Sequence, residues 1–101
     1  MDRARRLREP HDIRRVRGKG RSWPEGPVVV RVLPNRLDPP ANRYTVIAGK
    51  KQGGAVQRNR AKRLLREALR HADPNLARGL DVLVIVRGRA EEIPNYAAAR
   101  A

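Results

Sequence analysis

The chain has 101 residues and carries 24 Lys plus Arg against 10 Asp plus Glu, a formal net charge of +14. That length fits one domain, residues 1–101, with a modest core, and a domain that repels itself this strongly calls for a polyanionic partner, nucleic acid first. No run nears the ~18 apolar residues of a membrane span, Met1 to Arg8 lack the apolar core of a secretory signal, and the absence of cysteine excludes disulfides and thiolate zinc sites.

These exclusions set the expectation of a cytoplasmic protein with no membrane partner. The charge is also clustered. Residues 1–21 hold nine basic side chains against three acidic ones, residues 50–70 hold eight against Glu67 alone, and the other 59 positions share seven. Two basic zones therefore flank a less charged centre.

Residues 1–8 read as a frayed, flexible start. Pro10 suits the first turn of a short helix running to about Arg17, ended by Gly18 and Gly20, with Ile13 and Val16 as its apolar side. Pro27 to Leu33 (PVVVRVL) predicts a strand, the breakers between Pro34 and Asn42 predict a loop, and Arg43 to Gly49 (RYTVIAG) predicts a second strand. A long helix follows from about Val56 to Ala72, stopped by Asp73–Pro74. Leu80 to Val86 (LDVLVIV) is continuously apolar apart from Asp81, the pattern of a strand covered on both faces. Strand, helix and buried strand in that order predict a crossover with both strands in one sheet. Pro94 opens a last, short helix.

The long helix carries most of the information. At about 100° per residue, Ala61, Leu64, Leu65, Ala68, Leu69 and Ala72 form one apolar stripe. Asn59, Lys62, Arg63, Arg66 and Arg70 share another face, with Arg58 and Arg60 at its edges and Glu67 outside the group. An ordinary solvated face mixes signs, because like charges four residues apart destabilise a helix. Lys62, Arg66 and Arg70 stack at that interval, which points to phosphates that relieve the repulsion. An arginine excess (20 Arg to 4 Lys) agrees, since guanidinium binds phosphate bidentately and stacks on bases. Before the helix, Gly49-Lys50-Lys51-Gln52-Gly53-Gly54 invites a nucleotide phosphate-loop reading, but its lysines precede its glycines and no Gly-Lys-Ser/Thr follows. A turn whose amides, Lys50 and Lys51 touch an RNA phosphate fits better.

The run from Lys50-Lys51-Gln52-Gly53-Gly54 through Arg58-Asn59-Arg60-Ala61-Lys62-Arg63 to Arg66-Glu67-Ala68 closely resembles the signature of the bacterial ribonuclease P protein family. Leu7-Arg8, Asp12-Ile13, Val16 and Gly20-Arg21 are similar to that family's first helix and turn, and Leu80 to Val86 looks like its last strand. The resemblance implies an α/β (α+β) two-layer sandwich: a four-stranded mixed sheet packed on helices in the order αβββαβ(α), like the second domain of a small-subunit ribosomal protein, with a left-handed crossover. It implies that the long helix meets a catalytic RNA through Arg58, Asn59, Arg60, Lys62, Arg63 and Arg66. It also implies a cleft between sheet and first helix for the single-stranded 5′ leader of precursor tRNA, placing Ile13, Val16, Arg17, Arg31 and Tyr44 there. The family's cleft usually carries aromatics for base stacking; here Ile13, Arg17 and Arg31 stand in those places, so arginine stacking and charge are expected to do that work. The family's final helix is longer than the residues after Pro94 allow.

Chemistry borne by the protein itself is thinly supported. Phosphodiester hydrolysis needs a general acid and base or carboxylates around metal ions. His11 and His71 sit in different elements, Asp2, Glu9 and Asp12 lie among arginines that suit them as ion-pair partners, and Glu91–Glu92 suits a helix start. No catalytic or metal-binding residue is assigned. The resemblance implies that the RNA subunit performs the hydrolysis with Mg²⁺ and that the protein is monomeric in a 1:1 complex with it. Three other readings share the charge: a structural RNA-binding protein of ribosomal type, a DNA-binding protein reading bases from its basic helix, and a self-sufficient nuclease.

Overall fold

The structure, a computed structural model, describes residues 6–94 apart from the side chains of Lys50 and Glu91. Asp2, the Lys50 side chain, Tyr96 and the helix expected beyond Pro94 thus lie outside the described residues. In chain order the elements are α1 (Pro10–Lys19), β1 (Arg21–Glu25), β2 (Val28–Pro34), β3 (Arg43–Ile47), α2 (Ala55–Ala72) and β4 (Leu80–Val86). The four strands form one sheet in the order β1-β2-β4-β3. β1 pairs antiparallel with β2 and β2 with β4, whereas β3 runs parallel to β4. α2 is the expected crossover between that parallel pair.

β1 is a strand that the residue pattern does not predict. Its sequence, RSWPE, contains a proline, which cannot donate to a ladder and is tolerated only at an edge. β1 is such an edge. The hairpin closes through Gly26–Pro27, where Gly26 takes φ 56, open to glycine at no steric cost. α1 runs past Gly18 and ends at Gly20, where an added Cβ would sit 2.5 Å from the Val16 carbonyl oxygen.

Period-two alternation gives the sheet two different faces. Val82, Val84 and Val86 of β4 join Val28, Tyr44, Val46, Ala61, Leu65 and Ile93 in the main core beneath α2. Leu83 points the other way and meets Val16 of α1 and Leu7, with Ile13, Leu33, Ile47 and Ile85 partly buried around them. β4 is therefore covered on both sides, as its unbroken apolar run predicts. Residues 6–8 are not a loose start: Leu7 is 1% exposed, and its amide donates to the Tyr44 carbonyl at 2.7 Å. An apolar side chain among arginines is what ties this segment down.

The smaller face is closed mainly by charge. Asp81, wholly buried, accepts from Arg43 Nε and Nη2, both at 2.8 Å, from Asn35 Nδ2 at 3.0 Å and from Arg15 Nη2 at 3.4 Å. Arg43 also reaches Asp12 at 3.5 Å. Asp12 and Arg15 belong to α1, so the network clamps that helix across β3 and β4. The Asp81 hydrogen bonds, ahead of the two carboxylate charges, raise the Arg43 pKa above its ordinary value.

Candidate nucleic-acid interface

α2 presents two flanks. Ala61 and Leu65 are buried and Leu64 and Leu69 half-buried, but Ala68 and Ala72 are exposed. The packed side is thus rotated from the expected stripe toward Arg58, Lys62 and Arg66, which are half-buried along its border. Long apolar stems let such residues cover a core edge, a use that the residue types alone do not reveal. Arg58 is the most deeply set of the three, lying between Leu65 and Leu69 on the helix wheel, and its Nε is buried without a partner among the described residues. Asn59, Arg60, Arg63 and Arg70 are exposed.

Glu67 is not outside the cationic group, as expected, but pairs with Arg70 one turn on, with His71 Nε2 at 3.7 Å. The Arg70 hydrogen bond, the largest influence, holds the Glu67 carboxyl below the usual range. Arg70 therefore brings less free charge to a partner than Arg60 or Arg63. Before the helix, Lys50–Gln52 forms a single 3₁₀ turn with Lys51 exposed. Gln52 Oε1 accepts from the Gly49 amide at 2.8 Å and so holds the turn shut.

The cleft residues expected on the other face divide. Val16 and Tyr44 are 0% and 2% exposed, so neither side chain is free to seat a base on the α1 face. Val16 fills the cluster under α1, and Tyr44 points into the main core, its hydroxyl donating to Asp73 and accepting from Asn42 Nδ2 at 3.3 Å. Arg31 is half-buried and bonded to the C-terminal end of α1, donating from Nη2 to the Gly20 carbonyl at 3.1 Å and from Nε to the Val16 carbonyl at 3.4 Å. Ile13 is half-buried and Arg17 exposed. What the residue reading misses is the row Val29–Ile85–Ile47, aligned across three strands by register and only half-buried. It forms an apolar shelf beside α1. The available signal is the β4 run itself: with Val84 and Val86 buried beneath α2, Ile85 must serve a second face.

Trp23 aligns with Val30 and Val84, so it lies on the α2 side of the sheet, 46% exposed at the β1 edge with the Arg21 guanidinium 5.5 Å from its ring centre. Of the carboxylates Asp2, Glu9 and Asp12, Asp2 lies outside the described residues. Asp12 faces Arg43, and among the described residues no three acidic or histidine side chains gather into a ligand set. His71 stands exposed at the end of α2.

The sequence model of the Ribonuclease P family matches residues 1–101. The chain belongs to the ribonuclease P protein family. It is 43% identical over 90 residues to the ribonuclease P protein component of Roseiflexus castenholzii, covering 89% of this chain and 72% of that protein. To the same component of Chloroflexus aggregans it is 45% identical over 87 residues, covering 86% and 63% respectively. Among solved structures, the ribonuclease P protein of Thermotoga maritima superposes with a TM-score of 0.79 at 28% identity, covering 94% of this chain and 87% of that one. The α+β fold of a mixed four-stranded sheet with two helices is thus that of the ribonuclease P proteins. No described helix is long and apolar enough to cross a membrane.

Proposed function

We propose that the chain is the non-catalytic protein subunit of ribonuclease P. In this reading it binds the catalytic RNA through α2 and the 5′ leader of precursor tRNA through the α1 face. The family's role is 5′ processing of tRNA within an endoribonuclease complex that contains an RNA subunit. The observation that carries the assignment of α2 is its geometry: one side packs on the sheet through Ala61 and Leu65, while Asn59, Arg60 and Arg63 stand outside with Lys62 and Arg66 at the border. A backbone with one charge per phosphate meets such a row without base readout, and counterion release then dominates the affinity.

The second surface is the shelf Val29–Ile85–Ile47, with Ile13 packed on the same cluster and Arg17 exposed on α1. It offers unpaired bases an apolar seat and phosphates a guanidinium, as single strands require. Hydrolysis belongs to the RNA and its Mg²⁺; this chain's part is to hold leader and RNA together as a monomer in a 1:1 assembly. The test adds the purified protein to catalytic RNA and labelled precursor tRNA at low Mg²⁺. Stimulated cleavage leaving a 5′-phosphate on tRNA is the expected result. Unchanged cleavage would favour a structural RNA-binding protein, and cleavage without RNA a nuclease.

A further inference from the structure

We propose that Arg6, Arg8 and Arg66 form a phosphate clamp for the backbone of the catalytic RNA, extending the α2 surface around the open edge of β3. The inference rests on the reading of α2 as an RNA-docking helix. β3 is an outer strand of the sheet, and the N-terminal segment bridges its free edge at Tyr44. Leu7 anchors that segment, buried in the cluster under α1 with its amide bonded to the Tyr44 carbonyl at 2.7 Å. Its two neighbours, Arg6 and Arg8, are exposed. They line a cleft of about 250 Å³ at this edge together with Arg66, over Tyr44, Thr45 and Ile13.

The three arginines differ from others in the fold. Arg15, Arg43, Arg70 and Arg78 each face a carboxylate. Arg6, Arg8 and Arg66 have none among the described residues, although they converge on one concavity. Three like charges around a cleft repel until an anion enters, and guanidinium forks match phosphate oxygens bidentately. Ile13 of α1 also lines the cleft, which therefore borders the leader face, but Arg66 continues the Lys62 border of α2, so the phosphate is assigned to the RNA that docks on that helix. The clamp also gives the two basic zones of the sequence, near residues 1–21 and 50–70, a single meeting point.

The test compares Arg6→Gln/Arg8→Gln with Arg36→Gln/Arg87→Gln, an equal loss of charge at exposed sites away from the cleft. Binding to the purified catalytic RNA is measured across a salt series. The cleft variant should lower the log–log salt slope by roughly 1.5, from ~0.7–0.9 per lost phosphate contact, and the control variant should stay near wild type. Equal effects in both variants overturn the clamp, since general charge then explains them. A loss confined to precursor tRNA with a leader, leaving RNA binding intact, overturns the assignment to the catalytic RNA. Arg66→Gln provides a second arm: combined with the N-terminal pair it should cost less than the sum of the separate losses, and strict additivity would mean no shared phosphate. If wild type itself binds the catalytic RNA without salt dependence, the reading of α2 fails instead, and the two failures stay distinct.

Discussion

The two faces of the sheet are closed by different physics. Under α2, an apolar cluster from Val28 to Ile93 excludes water and leaves the cationic flank of the helix outside. Under α1 the apolar cluster is small, with Leu7, Val16 and Leu83 as its buried members. There the helix is held by the buried Asp81 network and by Arg31 on its terminal carbonyls. Hydrophobic packing is non-directional and fills whatever lies beneath it. Ion pairs fix a helix at a few points and can leave the neighbouring sheet row Val29–Ile85–Ile47 only half-buried. The firm face thus presents a rigid charged rod, and the other keeps an apolar shelf open.

The sharpest way to break this contrast is Leu65→Asp, which places an unpaired charge in the α2 core. A loss of about 4 kcal/mol or more is expected, enough to abolish cooperative melting. Next is Asp81→Asn. Removing the buried charge leaves the Arg43 guanidinium with only the 3.5 Å contact to Asp12 as a carboxylate partner, and thermal unfolding should show a loss of about 3 kcal/mol. The surviving fold should still bind catalytic RNA yet discriminate less between precursor tRNA with and without a leader. Arg31→Ala sits lower on the scale, at about 1 kcal/mol from two lost hydrogen bonds to α1, with the same selective effect on leader discrimination.

The α2 flank can be sharpened residue by residue. Arg58→Ala should lower stability by about 1 kcal/mol through lost packing of its half-buried side chain. Arg60→Ala should leave melting unchanged and reduce only the salt slope of RNA binding, by ~0.7–0.9. The smallest effect is expected from Glu67→Gln. The Arg70 hydrogen bond depresses the Glu67 pKa in the folded state, so its contribution is present above the unfolded glutamate value of about 4.3 and is lost as pH falls through the lower folded value. Melting curves of wild type and variant should accordingly differ slightly near neutrality and converge in acid.

How much of this was legible from the residues follows the same divide. β4 could be read to the residue, because a run such as Leu80–Val86 has no alternative to burial on both sides, and α2 to within one residue at its start. β1 could not, because Pro24 argues against a strand unless its edge position is known. The N-terminal anchor was hidden because one leucine among arginines carries no periodic signal. Val16 and Tyr44 belong to the cleft only by family resemblance, and the α1 cluster and the main core bury their side chains. Arg58, Lys62 and Arg66 looked like surface cations, and only the packing reveals how far their stems are used. Sequence patterns report apolar periodicity well and report the partners of long charged side chains poorly.

The central claim is that the exposed flank of α2 docks on the catalytic RNA through phosphate contacts. Its most direct test is the salt dependence of RNA binding for Arg60→Gln/Arg63→Gln, two exposed positions. The account predicts an unchanged melting temperature and a slope reduced by roughly 1.5. A slope equal to that of wild type would contradict it.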